Sequence, residues 1–314
     1  MTFLAFGEIM LRLSPPGREL LLQTPKLDVW VAGAEANVAG ALARLGHDVA
    51  FASAVPDNDL GRAALTYLRG AGVDTAGIQL RGDRMGLYFV TSGAGLRATE
   101  VIYDRAGSSF AEMPSDAWDW DTLLHGVDRL HLSGITPALG PVPAASAIAA
   151  AQAAAARGIA VSFDGNWRGK LWERWDSDPR GILTHLVAEA DLLFGNHRDI
   201  ALLLGRDFGG EGEARRREAV DAAFAAFPKL QTIASTARHV EHVDLHRLSA
   251  RVDTRTDSAQ TEEVVLAGIV DRIGGGDAFA AGVLHALRRG GDSAEAARTG
   301  LALAALKHSL PGDA

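Results

Sequence analysis

The sequence predicts an α/β protein built on a mainly parallel sheet covered by helices on both faces, and three observations carry that prediction. Short apolar, strand-like runs alternate with longer helix-like runs through most of the 314 residues. The composition is 47% hydrophobic, ample for a sizeable core in a chain of this length. There is no Cys, so the fold must stand on that core without disulfides or thiol ligands.

Taken in order, residues 3–6 read as a first strand and 34–45 as an apolar helix. A strand over 49–55 precedes a helix over 60–69. Residues 129–132 form a strand leading to an alanine-rich helix at 144–157. The strand 160–163 leads to a helix near 181–189, and the strand 192–194 to a short helix at 198–204. A helix over 213–227 then precedes a strand at 230–235. Two excursions, about 11–32 and about 74–106, break this rhythm. The second carries Gly86-Leu87-Tyr88-Phe89-Val90-Thr91 and Glu100-Val101-Ile102-Tyr103, which alternate like antiparallel strands around a glycine-containing turn. With no repeat or low-complexity linker, the expectation is one domain over 1–314 with these two insertions.

Composition excludes several classes of partner. The 31 Lys and Arg against 39 Asp and Glu give a net charge of −8, which argues against nucleic acid or a membrane surface. Met1-Thr2-Phe3-Leu4 lacks the basic region of a secretory leader, and 144–156 is too short to cross a bilayer. Together with the missing Cys, this points to a cytoplasmic protein. An acidic chain that binds anions must gather its arginines locally. No Gly-x-x-x-x-Gly-Lys-Ser/Thr occurs, and the first strand-to-helix passage lacks Gly-x-Gly-x-x-Gly. His239, His242 and His246 form a weak zinc signal; the stretch reads as a strand, in which 242 and 246 share a face and 239 does not. Asp57-Asn58-Asp59 starts like a calcium loop, but Leu68 stands where its bidentate acid belongs, so it reads as a helix cap.

The most informative stretch is Asp271-Arg272-Ile273-Gly274-Gly275-Gly276-Asp277-Ala278-Phe279. Three glycines without Cβ atoms let backbone N–H groups converge on a small anion, and the apolar helix that follows adds its positive end. Asp277 stands where turn becomes helix. That suggests phosphoryl transfer, with Gly274, Gly275 and Gly276 holding charge and Asp277 orienting a hydroxyl. A side chain at any of the three glycines should displace the phosphoryl group. The helix end should favour the carboxylate of Asp277, leaving it a poor base until late in the reaction. The plain alternative is a glycine loop capped by Asp.

This segment resembles the C-terminal signature of the ribokinase-like (phosphofructokinase-B type) carbohydrate kinases, Asp-Thr-x-Gly-Ala-Gly-Asp, with Arg272 for Thr and Gly275 for Ala. Further blocks are similar to the sugar-acid branch of that family: Gly7-Glu8-Ile9-Met10-Leu11-Arg12-Leu13-Ser14-Pro15, Ala32-Gly33-Ala34-Glu35-Ala36-Asn37, His131-Leu132-Ser133-Gly134 and Asp164-Gly165-Asn166-Trp167-Arg168. They run in order along essentially the whole chain. The resemblance implies a three-layer α/β/α sandwich whose excursions form a small β-sheet lid, with pairing of two copies through that lid.

It also implies ATP-dependent phosphorylation of 2-keto-3-deoxygluconate at its terminal hydroxyl, with ATP and magnesium required and a monovalent cation as an open addition. On the matching positions, Gly33, Asn37, Tyr88, Tyr103, Arg105, Arg168 and Asp313 contact the acceptor. Arg105 and Arg168 would grip its carboxylate, at roughly 1.5–3 kcal/mol for each charge-assisted hydrogen bond. The nucleotide side departs from the family. Ser235-Thr236-Ala237-Arg238-His239-Val240 lacks both glycines of the usual loop, leaving Ser235, Thr236 and Arg238, with Asn166, Arg168, Gly274 and Gly276, to meet the nucleotide. Asn196-His197-Arg198-Asp199 shortens the family's Asn-x-x-Glu, so Asn196 and Asp199 would serve magnesium through water, or simply cap a helix. Another acceptor such as fructose, or a silent sugar-acid binder, stays open beside the leading reading.

Overall fold

A computed structural model describes residues 1–209 and 212–314. In chain order its strands are β1 (Thr2–Phe6), β2 (Met10–Ser14), β3 (Asp28–Ala32), β4 (Val49–Val55), β5 (Ile78–Leu80), β6 (Gly86–Thr91), β7 (Glu100–Asp104), β8 (Val127–Ser133), β9 (Ala160–Asp164), β10 (Leu192–Phe194), β11 (Thr232–His242), β12 (Leu245–Thr254), β13 (Ser258–Gln260) and β14 (Val264–Ala267). The large sheet runs β5-β4-β1-β8-β9-β10-β11 in parallel, then turns antiparallel at β12, which pairs with β13 and β14. The small sheet has the order β3-β2-β6-β7.

The chemistry of β1 explains the layering. Every residue from Phe3 to Phe6 is buried, as expected for a central strand covered on both faces. Leu4 and Phe6 point into one core with Ala147, Ala150 and Leu186 from the helices Pro141–Ala156 and Pro179–Glu189. Phe3 and Ala5 point into the other, with Val38, Leu42, Val283 and Leu284 from the helices Ala34–Arg44 and Gly275–Arg288. Period-two alternation in one strand thus builds two helical layers. Phe6 also meets the edges of Trp118 and Trp120 at 4.9 and 5.1 Å between ring centroids. Truncating it to Ala should cost about 3–5 kcal/mol.

Several expectations change. The second excursion begins later than residue 74, because Ile78–Leu80 pairs with β4 at the edge of the large sheet. The strand expected at 230–235 continues to His242 and folds back at once into β12. His242 and His246 therefore lie on opposite arms of a hairpin, with His246 beside Val240, so they do not share a face of one strand. No element is expected from the sequence over 247–267 or 293–307, yet the first lies in β12 to β14 and the second is the helix Ser293–Lys307. In β12 the apolar pattern is interrupted by Arg251 and Asp253, which are buried and paired with each other at 2.8 Å, with Glu213 adding to the first and Arg217 to the second; such pairing is what makes a buried charge tolerable. Asn58 caps the helix Asp59–Gly70, accepting from the N–H groups of Leu60 and Gly61.

Candidate active site at the carboxyl ends of the parallel strands

Parallel strands of a layered α/β fold share one edge, where the loops leaving their carboxyl ends converge. A cleft of about 1070 Å³ opens there. Its floor comes from the loop after β9 (Asp164 to Arg168), the loop after β10 (Gly195 to Asp199), the middle of β11 and the glycine turn. Met10, Tyr88, Val101, Tyr103 and Arg105 of the small sheet and its flank form the opposite wall. All of Gly33, Asn37, Tyr88, Tyr103, Arg105, Asn166, Arg168, Asn196, Asp199, Ser235, Thr236, Arg238, Gly274, Gly275, Gly276, Asp277 and Asp313 line this one cleft.

Asp277 is the third residue of the helix Gly275–Arg288, whose N-cap is Gly274 with no side-chain cap bond. The capping alternative is therefore wrong. Its Oδ2 instead accepts a 2.6 Å hydrogen bond from Nδ2 of Asn37, 240 positions away. Burial, joined by the charges of Asp164 and Asp313, pushes its pKa up to about 8 against the pull of Asn37 and Arg168. The expected preference for the carboxylate is overturned. A helix end contributes about 0.3–2 kcal/mol, and desolvation in a recessed site outweighs it. The result is a carboxylate with a strong appetite for a proton.

The three glycines are not equivalent. Gly274 has φ of +80°, and a Cβ there would lie 1.8 Å from the carbonyl oxygen of Asp313. A Cβ on Gly275 would meet His308 at 2.9 Å, while one on Gly276 meets nothing within 4 Å. Only at Gly276 would a side chain enter open space rather than the protein, which narrows the expectation for all three.

The two arginines differ as well. Arg168 is exposed, makes no ion pair among the described residues, and bonds only to the carbonyl of Trp167 at 3.1 Å. Arg105 is 3% exposed and already bound: its Nε reaches Oε2 of Glu8 at 2.8 Å, Nη2 bonds the same oxygen, and Ser108 donates to Oε1. Nη1 alone lacks a protein acceptor among the described residues. A two-pronged grip by Arg105 is thus reduced to one prong. Asp313 is likewise engaged, by Arg12 at 2.9 Å and by the Tyr88 hydroxyl.

The family profile described as pfkB family carbohydrate kinase matches residues 2–314. The chain belongs to that family. A 2-dehydro-3-deoxygalactonokinase of Haloferax volcanii is 35% identical over 98% of this chain and 91% of its own length. A 2-dehydro-3-deoxygluconokinase of Bacillus subtilis is 28% identical over 90% of this chain and 82% of its own. The crystal structure of the 2-dehydro-3-deoxygluconokinase of Thermotoga maritima superposes with a TM-score of 0.94 at 35% identity, covering 100% of this chain and 95% of that one.

In this carbohydrate kinase the stretch expected to align with a glycine loop is strand. Ser235, Thr236 and Arg238 sit on β11, paired with Arg251, Ala250 and Leu248 of β12, so glycines are not needed for a turn. Arg238, Arg272 and Arg198 all line the cleft without an ion pair among the described residues. Burial, then the neighbouring Arg272, lowers the pKa of Arg238. Asn196 and Asp199 form a reciprocal cap of the helix His197–Leu204, with Oδ1 of Asn196 accepting from Arg198 at 2.8 Å and Oδ2 of Asp199 from Asn196 at 2.7 Å. They cap the helix and face the cleft at once. Burial raises Asp199, while burial and Asp199 together push Asp164 up to about 7.

Sequence reasoning missed Asp164, Glu8, Arg12 and Arg272 as members of the site or its frame. All four lie in blocks that carried the resemblance, so a search for charge within those blocks would have found them. Among the described residues no group of three His, Cys, Asp or Glu is arranged to hold a metal, and no helix is long and apolar enough to cross a membrane.

Proposed function

We propose that the chain transfers the terminal phosphoryl group of ATP to the primary hydroxyl of 2-keto-3-deoxygluconate. The observation that carries this is Asp277, a proton-hungry carboxylate set between the glycine turn and the Arg105–Arg168 side of one cleft. A hydroxyl presented there loses its proton to Asp277 as phosphoryl transfer proceeds, and the backbone N–H groups of the turn meet the migrating charge. Arg168 and the free Nη1 of Arg105 orient the acceptor's carboxylate. The small sheet acts as a lid that excludes water.

Magnesium suits the donor set. A small hard cation that keeps several waters needs few protein ligands, and Asp164 with Asp199 supplies two acid groups whose ionisation it would favour. It would neutralise charge building between the β- and γ-phosphates. Arg238 and Arg272, without an ion pair among the described residues, suit the remaining phosphates in a cleft that already holds four aspartates.

The relatives' names differ in the sugar-acid epimer, so the test uses a panel. Purified protein with ATP and magnesium is offered the gluco and galacto forms of 2-keto-3-deoxy acid, other sugar acids and fructose, with ADP release followed. Turnover is expected with the gluco form. Turnover of fructose alone overturns the acceptor, and ligand binding without any turnover overturns the reaction.

A further inference from the structure

Four side chains form a row across the small sheet. Cross-strand pairing places Trp30 beside Arg12, Arg12 beside Tyr88, and Tyr88 beside Tyr103. Residues directly opposite on neighbouring strands share a face. Tyr103 and Tyr88 line the acceptor end of the cleft, with ring centroids 5.8 Å apart. The other two hold the chain's last residues, since a Cβ on Gly312 would meet the Trp30 ring at 2.8 Å. Arg12 stands between these halves. It is 2% exposed, and its Nη1 donates to Oδ1 of Asp313 at 2.9 Å and pairs with Oδ2 of Asp271 at 2.6 Å, while Nε donates to Ser14 Oγ at 2.9 Å.

Both carboxylates lead to the glycine turn. Asp271 accepts from the backbone N–H of Ile273 through Oδ1 at 3.0 Å, at the entrance to the turn. Asp313 bonds Tyr88 through its other oxygen and lays its backbone carbonyl against Gly274. One guanidinium thus ties a strand under the acceptor to both flanks of the loop that meets the phosphoryl group. Lys307 is a second buried cation, donating to the carbonyl of Leu310 at 3.1 Å. A movement of the small sheet cannot leave the turn where it was without breaking a buried ion pair, which is costly when one partner is left behind.

We propose that Arg12 is a positioning residue that couples acceptor binding under the small sheet to the geometry of the glycine turn. It touches neither substrate; it makes the turn adopt its phosphoryl-holding form when the acceptor has drawn the row Trp30–Arg12–Tyr88–Tyr103 into place. The coupling is reciprocal, so nucleotide binding tightens acceptor binding by the same factor. This rests on the kinase reading above.

The test compares wild type with Arg12→Met, Arg12→Lys and Asp313→Asn in two experiments: steady-state kinetics, and calorimetric titration of ADP with and without saturating 2-keto-3-deoxygluconate. Wild type should bind ADP more tightly when the sugar acid is present. Arg12→Met should lose that enhancement and about ten- to a hundredfold in kcat, the scale of a misplaced reacting group, while the sugar acid's affinity in the absence of nucleotide stays within about threefold of wild type. Arg12→Lys, which keeps the charge, should recover part of both. Asp313→Asn, which leaves the Arg12–Asp271 pair intact, should fall between and keeps the test open if Arg12→Met does not fold. A wild-type kcat in Arg12→Met, a weakened sugar-acid affinity already in the absence of nucleotide, or an intact enhancement beside a lowered kcat would each overturn the coupling. Wild type without turnover would overturn the kinase reading instead.

Discussion

Asn37 donates its side-chain amide to Asp277 across 2.6 Å, joining the helix that begins at Gly33 to the helix that begins at the glycine turn. The donor aims at Oδ2 and leaves Oδ1 without a protein partner among the described residues. Glu35, two residues earlier, anchors the same helix start by accepting from Ser133 and Thr136. The carboxylate is therefore aimed by packed elements rather than by its own loop.

The raised pKa of Asp277 has a sign that can be measured. A base must shed its proton before accepting another, so kcat/KM should rise with pH and level off above about 8. Because Asp164 titrates nearby, at about 7, the acid limb belongs to the pair rather than to one residue. A pH–rate profile at saturating ATP checks this; a flat profile down to pH 5 would remove Asp277 from the role.

Asp277→Asn should lower turnover roughly 10²–10⁴-fold while nucleotide affinity survives. It should also stabilise the protein in one pH window. A carboxyl whose folded pKa is raised binds more protons folded than unfolded, so its contribution to stability falls as pH climbs from the unfolded value to about 8. Thermal melts should place the variant above wild type at pH 8, with the gap closing towards pH 4.

The arginines should separate acceptor binding from stability. Arg168→Ala, on an exposed side chain, should weaken use of the sugar acid about ten- to a hundredfold and leave denaturant unfolding unchanged. Arg105→Ala strands Glu8, itself 3% exposed, without its cation, and should cost about 3–5 kcal/mol of stability. Equal unfolding midpoints for the two variants would contradict the burial of the Glu8–Arg105 pair.

The glycines should separate in the same manner. Gly276→Ala should fold normally and lose turnover, because its new methyl occupies the space before the turn. Gly274→Ala combines a left-handed backbone with a collision against the Asp313 carbonyl, and should melt at lower temperature. Melting curves beside kcat for both variants decide the matter.

Much of this was legible in one dimension. The alternation of apolar runs, the two excursions and the glycine turn beside Asp277 all follow from local pattern, because periodicity and missing Cβ atoms act over a few residues. Most of the polar residues lining the cleft were visible once motif blocks were matched in order, with Asp164, Arg198 and Arg272 the exceptions. What each charged group does was not visible. Arg105, Arg168 and Arg12 are the same residue type, yet one is half-spent on Glu8, one makes no ion pair among the described residues, and one is paired to both flanks of the glycine turn. Likewise the helix end at Asp277 predicts a low pKa from neighbours in sequence, while the folded site raises it. Ionisation and pairing depend on burial and on groups as far as 301 positions apart in the chain, as Arg12 and Asp313 are. Only tertiary packing sets those distances, since Coulomb and desolvation energies answer to space and not to sequence order.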